Sequence, residues 1–233
     1  MSAKKPEAKR KFGIFRFIFK LAIYSLFLVY LLFGINAAIT LFEMTLNRKQ
    51  DISTLPAVID RAVGENRAGD VTKWVRLRPL SETETLIDLA SPKSGGLEPG
   101  IFFEFAKRRA QQGYIEDALF WAQLGRYRLR YDAIRCGIIN AYEVLEQLLS
   151  LFALSPRMER LLQEKPALVK ETIRKVIDFD GKYPARNNPE PICALINKVN
   201  KTSAPVIAQE RWEHERNLLR NSTEKFLNSP DEK

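Results

Sequence analysis

From Leu21 to Phe42 the chain reads LAIYSLFLVYLLFGINAAITLF, twenty-two residues without a charge. As a helix rising 1.5 Å per residue this run spans roughly 33 Å, against a bilayer hydrocarbon core of about 30 Å. A helix apolar on every side is either a buried core helix or a membrane span, and twenty-two uncharged residues next to a basic tail favour the span. Residues 21–42 are therefore expected to form one transmembrane helix, surrounded by membrane lipid.

The flanks set its direction. Lys4, Lys5, Lys9, Arg10, Lys11, Arg16 and Lys20 precede the run with a single acid, Glu7, a net charge of +6. The first residues beyond it hold only Arg48 and Lys49, beside Glu43 and Asp51. Basic residues resist translocation, so residues 1–20 are expected to be a cytoplasmic tail of an inner-membrane, single-pass protein, with the C-terminal part in the periplasm. A cleaved signal peptide would need an apolar region of roughly 7–15 residues and a small-x-small exit. Here the run is longer, and Gly34, Ala37 and Ala38 stand beside Ile35 and Asn36 at the wrong offsets. Gly34 and Ala38 do make a small-xxx-small pair, through which two such helices approach closely, so a homodimer through the span is a further expectation.

Charge and cysteine content narrow the rest. The whole chain carries +9, but the tail accounts for +6 of it and leaves +3 for everything else. The basic balance is a topology signal, and nucleic acid is not expected as a partner. Cys136 and Cys193 fall on the oxidising side, where a bridge persists. They are a candidate disulfide, the alternative being two buried thiols; two cysteines at this spacing are not a zinc signature.

Beyond the span, residues 43–100 read as a membrane-proximal segment and linker. Ser53 is placed to cap a helix starting at Leu55–Pro56, and Val71–Arg78 does not settle between periods of 2 and 3.6. Ser91–Gly100, SPKSGGLEPG, holds two prolines and three glycines and reads as the loop before the main domain, 101–233. There the apolar spacing predicts helices over Ile101–Gln112, Ile115 to about Arg130, Gly137–Leu154, Pro166 to about Gly181, a short one around Ile192–Val199, and a last one from Ser203 to Leu227. The last has a narrow stripe, Trp212, Leu219 and Phe226, recurring every seven residues.

Catalytic patterns are sparse. The single histidine, His214, lies between Glu213 and Glu215, and consecutive helical residues cannot close on one ion. An H-E-x-x-H site would need histidine at Leu218. There is no G-x-S-x-G, no phosphate-binding loop and no dinucleotide glycine pattern. No catalytic residue, metal ligand or cofactor is assigned. The cluster that stands out is Arg126, Tyr127, Arg128, Arg130, Tyr131, Asp132 and Arg135. Arg126 and Arg130 share a helix side with Leu119 and Ala122, and a guanidinium on an apolar face needs a reason. Arg126, Tyr127, Arg130, Tyr131 and Arg135 are candidate partner-binding residues, since arginine forks carboxylates in a bidentate way. The alternative is that these arginines pair internally, with Asp117, Asp132 or Glu143, and lay their stems over the core.

Residues 102–134, FFEFAKRRAQQGYIEDALFWAQLGRYRLRYDAI, resemble one helical hairpin of the tetratricopeptide or Sel1-like kind. Ala106, Ala110, Ala118 and Ala122 allow close helix approach, Gly113 makes the turn, and Trp121 fills the groove beside it. No second copy follows at a period of 34–40. The resemblance implies a protein-binding role. The expectation is thus an all-α protein: a single N-terminal transmembrane helix, then a TPR/Sel1-like helical-hairpin domain serving as a periplasmic protein–protein interaction module in envelope assembly, secretion or immunity. The alternatives are an envelope enzyme using a carboxylate pair and a purely structural membrane tether.

Overall fold

A computed structural model of the chain describes Ser25 and residues 51–137, 156–201 and 203–229. Residues 1–50 and 51–233 form two compact units. In the first, Ser25 is an exposed helical residue. The expected span 21–42, the Gly34/Ala38 pair and the expected helix after Gly137 lie outside the described residues. No helix among the described residues is long and apolar enough to cross a membrane.

The second unit is all-α, with no strand among its described residues. Its helices are α1 (Leu55–Gly64), α2 (Gly69–Leu77), α3 (Thr83–Ala90), α4 (Gly100–Gln111), α5 (Ile115–Arg135), α6 (Pro156–Glu164), α7 (Pro166–Lys182), α8 (Glu190–Asn200) and α9 (Trp212–Asn228). Proline opens α1, α7 and α8, where its missing N–H costs nothing and its fixed φ suits the first turn. Before α1 it is Asp51, not Ser53, whose carboxylate caps, accepting the Ser53 N–H at 3.0 Å.

The hairpin α4–α5 is the centre of the unit. Gly113 takes φ +87° at the turn, a left-handed value open to glycine. Gly125 lets the Phe103 ring approach: a Cβ there would lie 3.0 Å from the ring edge. Trp121 sits in an aromatic cluster, stacked on Phe102 at 6.2 Å and edge-on to Phe105, Phe120 and Phe179 at 5.3, 4.9 and 5.7 Å.

Residues 51–100 are not a spacer. Leu55, Ile59, Val71, Trp74, Val75, Leu86 and Ala90 share one buried cluster with Phe102, Phe105, Ala118 and Trp121. In α2 the ambiguous stretch resolves as helix because Val71, Trp74 and Val75 fall at i, i+3, i+4 on that core. Its C-terminal carbonyls are met by Arg108 of α4, 4% exposed, which donates to Val75 O at 3.2 Å, Arg78 O at 3.1 Å and Pro79 O. The expected loop over Ser91–Gly100 is also part of the packing. Ser91–Gly96 is a 3-10 helix, with Ser94 and Leu97 buried. There Gly95 O accepts the Arg186 N–H at 2.6 Å, and a Cβ on Gly95 would lie 2.5 Å from Pro184 O.

Two helix limits differ from the sequence reading. α5 continues to Arg135. The last helix starts at Trp212, because the chain before it is held extended. Asn197 bonds both polar groups of Ala204, at 2.9 and 3.1 Å, and the Ile207 N–H donates to Arg135 O at 2.8 Å. The seven-residue stripe of α9 also shifts. Leu227 is buried while Phe226 is 53% exposed, as expected where a straight helix drifts about 20° per heptad.

Candidate functional site

Helix α5 carries the arginine and aromatic cluster, and the fold splits it into an inner and an outer set. The inner set joins α5 to the C-terminal third. Arg135, fully buried, bonds Asp132, Asn187 O at 2.8 Å and Asn187 Oδ1 at 3.1 Å; Asn187 Nδ2 closes the ring onto Asp132 at 3.0 Å. The Arg135 guanidinium also lies 4.5 Å from the ring centres of Tyr131 and Trp212. Tyr131 Oη donates to Trp212 O at 2.7 Å, and Trp212 Nε1 to Ile207 O at 3.0 Å. One turn back, Arg128 faces Asp180 of α7 and donates to Tyr183 O. Burial pushes the carboxyls of Asp132 and Asp180 up, against the pull of Arg135 and Arg128 respectively.

Tyr131 and Arg135, expected at a partner surface, are 3% and 0% exposed and hold the interior together. Cys136 follows directly and is bonded to Cys193 of α8, S–S 2.07 Å, with Cα atoms 5.2 Å apart. The bridge packs with Phe103, Leu129, Ala133 and Ile196 in a second buried cluster.

The outer set is Arg126 and Arg130; Tyr127 between them, also expected at a partner surface, is 6% exposed and belongs to the main buried cluster. All three line one wall of a cavity of about 510 Å³ between α5, α7 and α9. Its other walls are mainly apolar: Ile173 and Val176 from α7, Leu219 and Phe226 from α9. No carboxylate lines it among the described residues. Burial, then the charge of Asp180, pushes the Tyr127 phenol up, so it is neutral across the physiological range.

Elsewhere little chemistry assembles. His214 is an exposed residue of α9. Among the described residues no three His, Cys, Asp or Glu side chains are grouped to hold a metal ion. The charge of Asp132 acts on Glu98, but Asp132 is committed to Arg135 and Asn187.

Arg108, Arg109, Asp180 and Asn187 were not singled out from the sequence. Arg108 and Arg109 carried the same signal as Arg126, a guanidinium on a helix that is apolar on most sides. Asp180 and Asn187 had no local signal, since their partners are 52 and 55 residues away in Arg128, Asp132 and Arg135. Compared with protein-family models, curated proteins and solved structures, the chain matches none.

Proposed function

We propose that the chain is a membrane-anchored protein whose all-α unit is presented outside the cytoplasm as a protein–protein interaction module. The observation that carries this reading is the Cys136–Cys193 bridge. Disulfides of this buried, structural kind persist in the periplasm and extracellular space and are rare in a reducing cytosol. It is independent of the charge asymmetry around residues 21–42, and both lead to the same compartment. An interaction role, rather than a hydrolytic one, is supported by the cavity between α5, α7 and α9, whose charged side chains among the described residues are the two arginines, set among apolar and neutral polar ones; a smaller pocket of about 230 Å³ does carry Asp178 and Glu224, beside Arg174 and Arg220. The absence of any catalytic sequence pattern is consistent with this.

The test is a pair of fusions after Lys233. Alkaline phosphatase, which needs its own disulfides, should be active on the full chain, and a fluorescent protein that matures only in the cytosol should be dark. The reverse pattern removes the compartment and with it the interaction role on that side.

A further inference from the structure

The cavity between α5, α7 and α9 has the makings of a ligand site. Its volume, about 510 Å³, lies inside the range of roughly 300–1,000 Å³ typical of small-molecule sites, and so does its pattern of apolar walls with a few polar groups. Gln123, Tyr127, Ser222 and Thr223 also line it, but its charged groups among the described residues are of one kind. Arg126 and Arg130 stand one turn apart on a single wall, a spacing that puts their Cβ atoms about 5–6 Å from each other. Two guanidiniums so placed meet a single carboxylate from two directions. Both also make an interaction within the protein. The opposite walls offer the apolar side chains of Ile173, Val176 and Leu219, and the Ser222 and Thr223 hydroxyls beside them each donate to Leu219 O at 2.8 Å. Phe226, 53% exposed, stands at the rim and gives the cavity an apolar mouth.

We propose that this cavity binds a single-chain anionic amphiphile of the fatty-acid class. The chain lies against Ile173, Val176 and Leu219, and the carboxylate sits at Arg126 and Arg130. Charge complementarity selects the head group: the charged side chains that line the cavity among the described residues, Arg126 and Arg130, are both cationic. The volume suits one drug-sized ligand and not a two-chain lipid. The inference rests on the cavity alone and stands whichever side of a membrane the unit occupies.

The test uses the full chain, in lipid nanodiscs or in plain buffer if it purifies without lipid. The probe is dodecanoic acid carrying a photoreactive diazirine near its methyl end. Irradiation should place adducts on peptides holding Ile173–Val176 or Leu219–Phe226. Excess dodecanoate should remove them; dodecyltrimethylammonium, the same chain with a cationic head, should need at least about tenfold more, a difference near 1.4 kcal/mol. Leu219→Trp, which fills the cavity, should abolish the adducts. Arg126→Gln with Arg130→Gln should weaken the carboxylate probe about tenfold while leaving dodecanol unaffected, a readout that loss of folding would not produce. Adducts confined to residues 21–42, equal competition by both head groups, or labelling indifferent to Leu219→Trp would each overturn the proposal. So would preferential labelling by a two-chain phosphatidylglycerol probe.

Discussion

Arg128 Nε and Asp180 Oδ1 stand 2.7 Å apart, with side chains 1% and 7% exposed. The contact is at ion-pair distance but is not aligned as a hydrogen bond, and Asp180 Oδ1 has no hydrogen-bond partner among the described residues. Two charges taken out of water are costly, and their mutual attraction is what offsets that cost. Asp180→Asn should therefore destabilise the unit by about 3–5 kcal/mol, because it leaves Arg128 buried without its anion. Arg128→Met combined with Asp180→Leu should lose clearly less than the two single changes summed. Urea denaturation of wild type, Asp180→Asn, the two single changes of the pair and the double variant measures both statements. Strict additivity would show that the pair does not act as one.

The Cys136–Cys193 bridge closes a separation of 57 residues. In the chain-entropy treatment a loop of that length contributes roughly 4 kcal/mol by restricting the unfolded chain. Cys136→Ser with Cys193→Ser should lower stability by up to about that amount, read from the shift of the denaturation midpoint. Non-reducing electrophoresis of the native chain should show a faster band that slows on reduction. Both thiols reacting with an alkylating reagent in freshly unfolded, unreduced protein would mean that no bridge had formed.

How far the sequence foretells this structure depends on how local each cause is. The α4–α5 hairpin is legible because Ala106, Gly113, Ala118 and Ala122 state their packing within thirty-odd residues. The all-α class follows from the same apolar spacing. The fate of Ser91–Gly100 is not legible: its glycines look like loop punctuation, yet Gly95 is small because Pro184, 89 positions on, lies against it. The α5 arginines show the limit more sharply. Arg126 and Arg128 are two residues apart on one helix and so face different sides, but only the position of Asp180, 52 residues on, shows that the Arg128 side is the one with an anion to meet it. The shift from Phe226 to Leu227 in α9 has the same origin, since a seven-residue count cannot tell a coiled seam from a straight helix laid on a core.

Glycine substitutions separate strain from crowding. At Gly113 nothing lies within 4 Å of a Cβ, so Gly113→Ala bears only the cost of φ +87°, about 1–2 kcal/mol. At Gly64 the space is equally open and φ is ordinary, so Gly64→Ala should stabilise, by about 0.5–1 kcal/mol. Gly95→Ala meets backbone that cannot turn aside and should be the most damaging of the three. Melting temperatures should rank Gly64→Ala above wild type, then Gly113→Ala, then Gly95→Ala. A neutral Gly95→Ala would mean that the 184–187 segment does not lie against Ser91–Gly96.

Glu98 gives the unit a measurable pH dependence. Burial is the main cause that pushes its carboxyl up; the negative charge of Asp132 adds to it, and the Gly69 N–H it accepts works the other way. For an acid whose pKa is higher folded than unfolded, folding opposes ionisation. Its contribution to stability is complete below the unfolded value, about pH 4.3 for glutamate, and is lost as pH rises through the folded value. Glu98→Gln keeps a carbonyl for the Gly69 N–H and removes the ionisation. The variant should melt above wild type at pH 7, and the gap should close as the pH falls toward about 4, where both side chains are neutral. Asp70, exposed enough to pair with Lys73 and Arg67, is shifted the opposite way by those partners, so Asp70→Asn should lose stability at pH 7 and supplies the contrast. A Glu98→Gln advantage that does not change between pH 4 and 7 would show that the buried charge is not its cause.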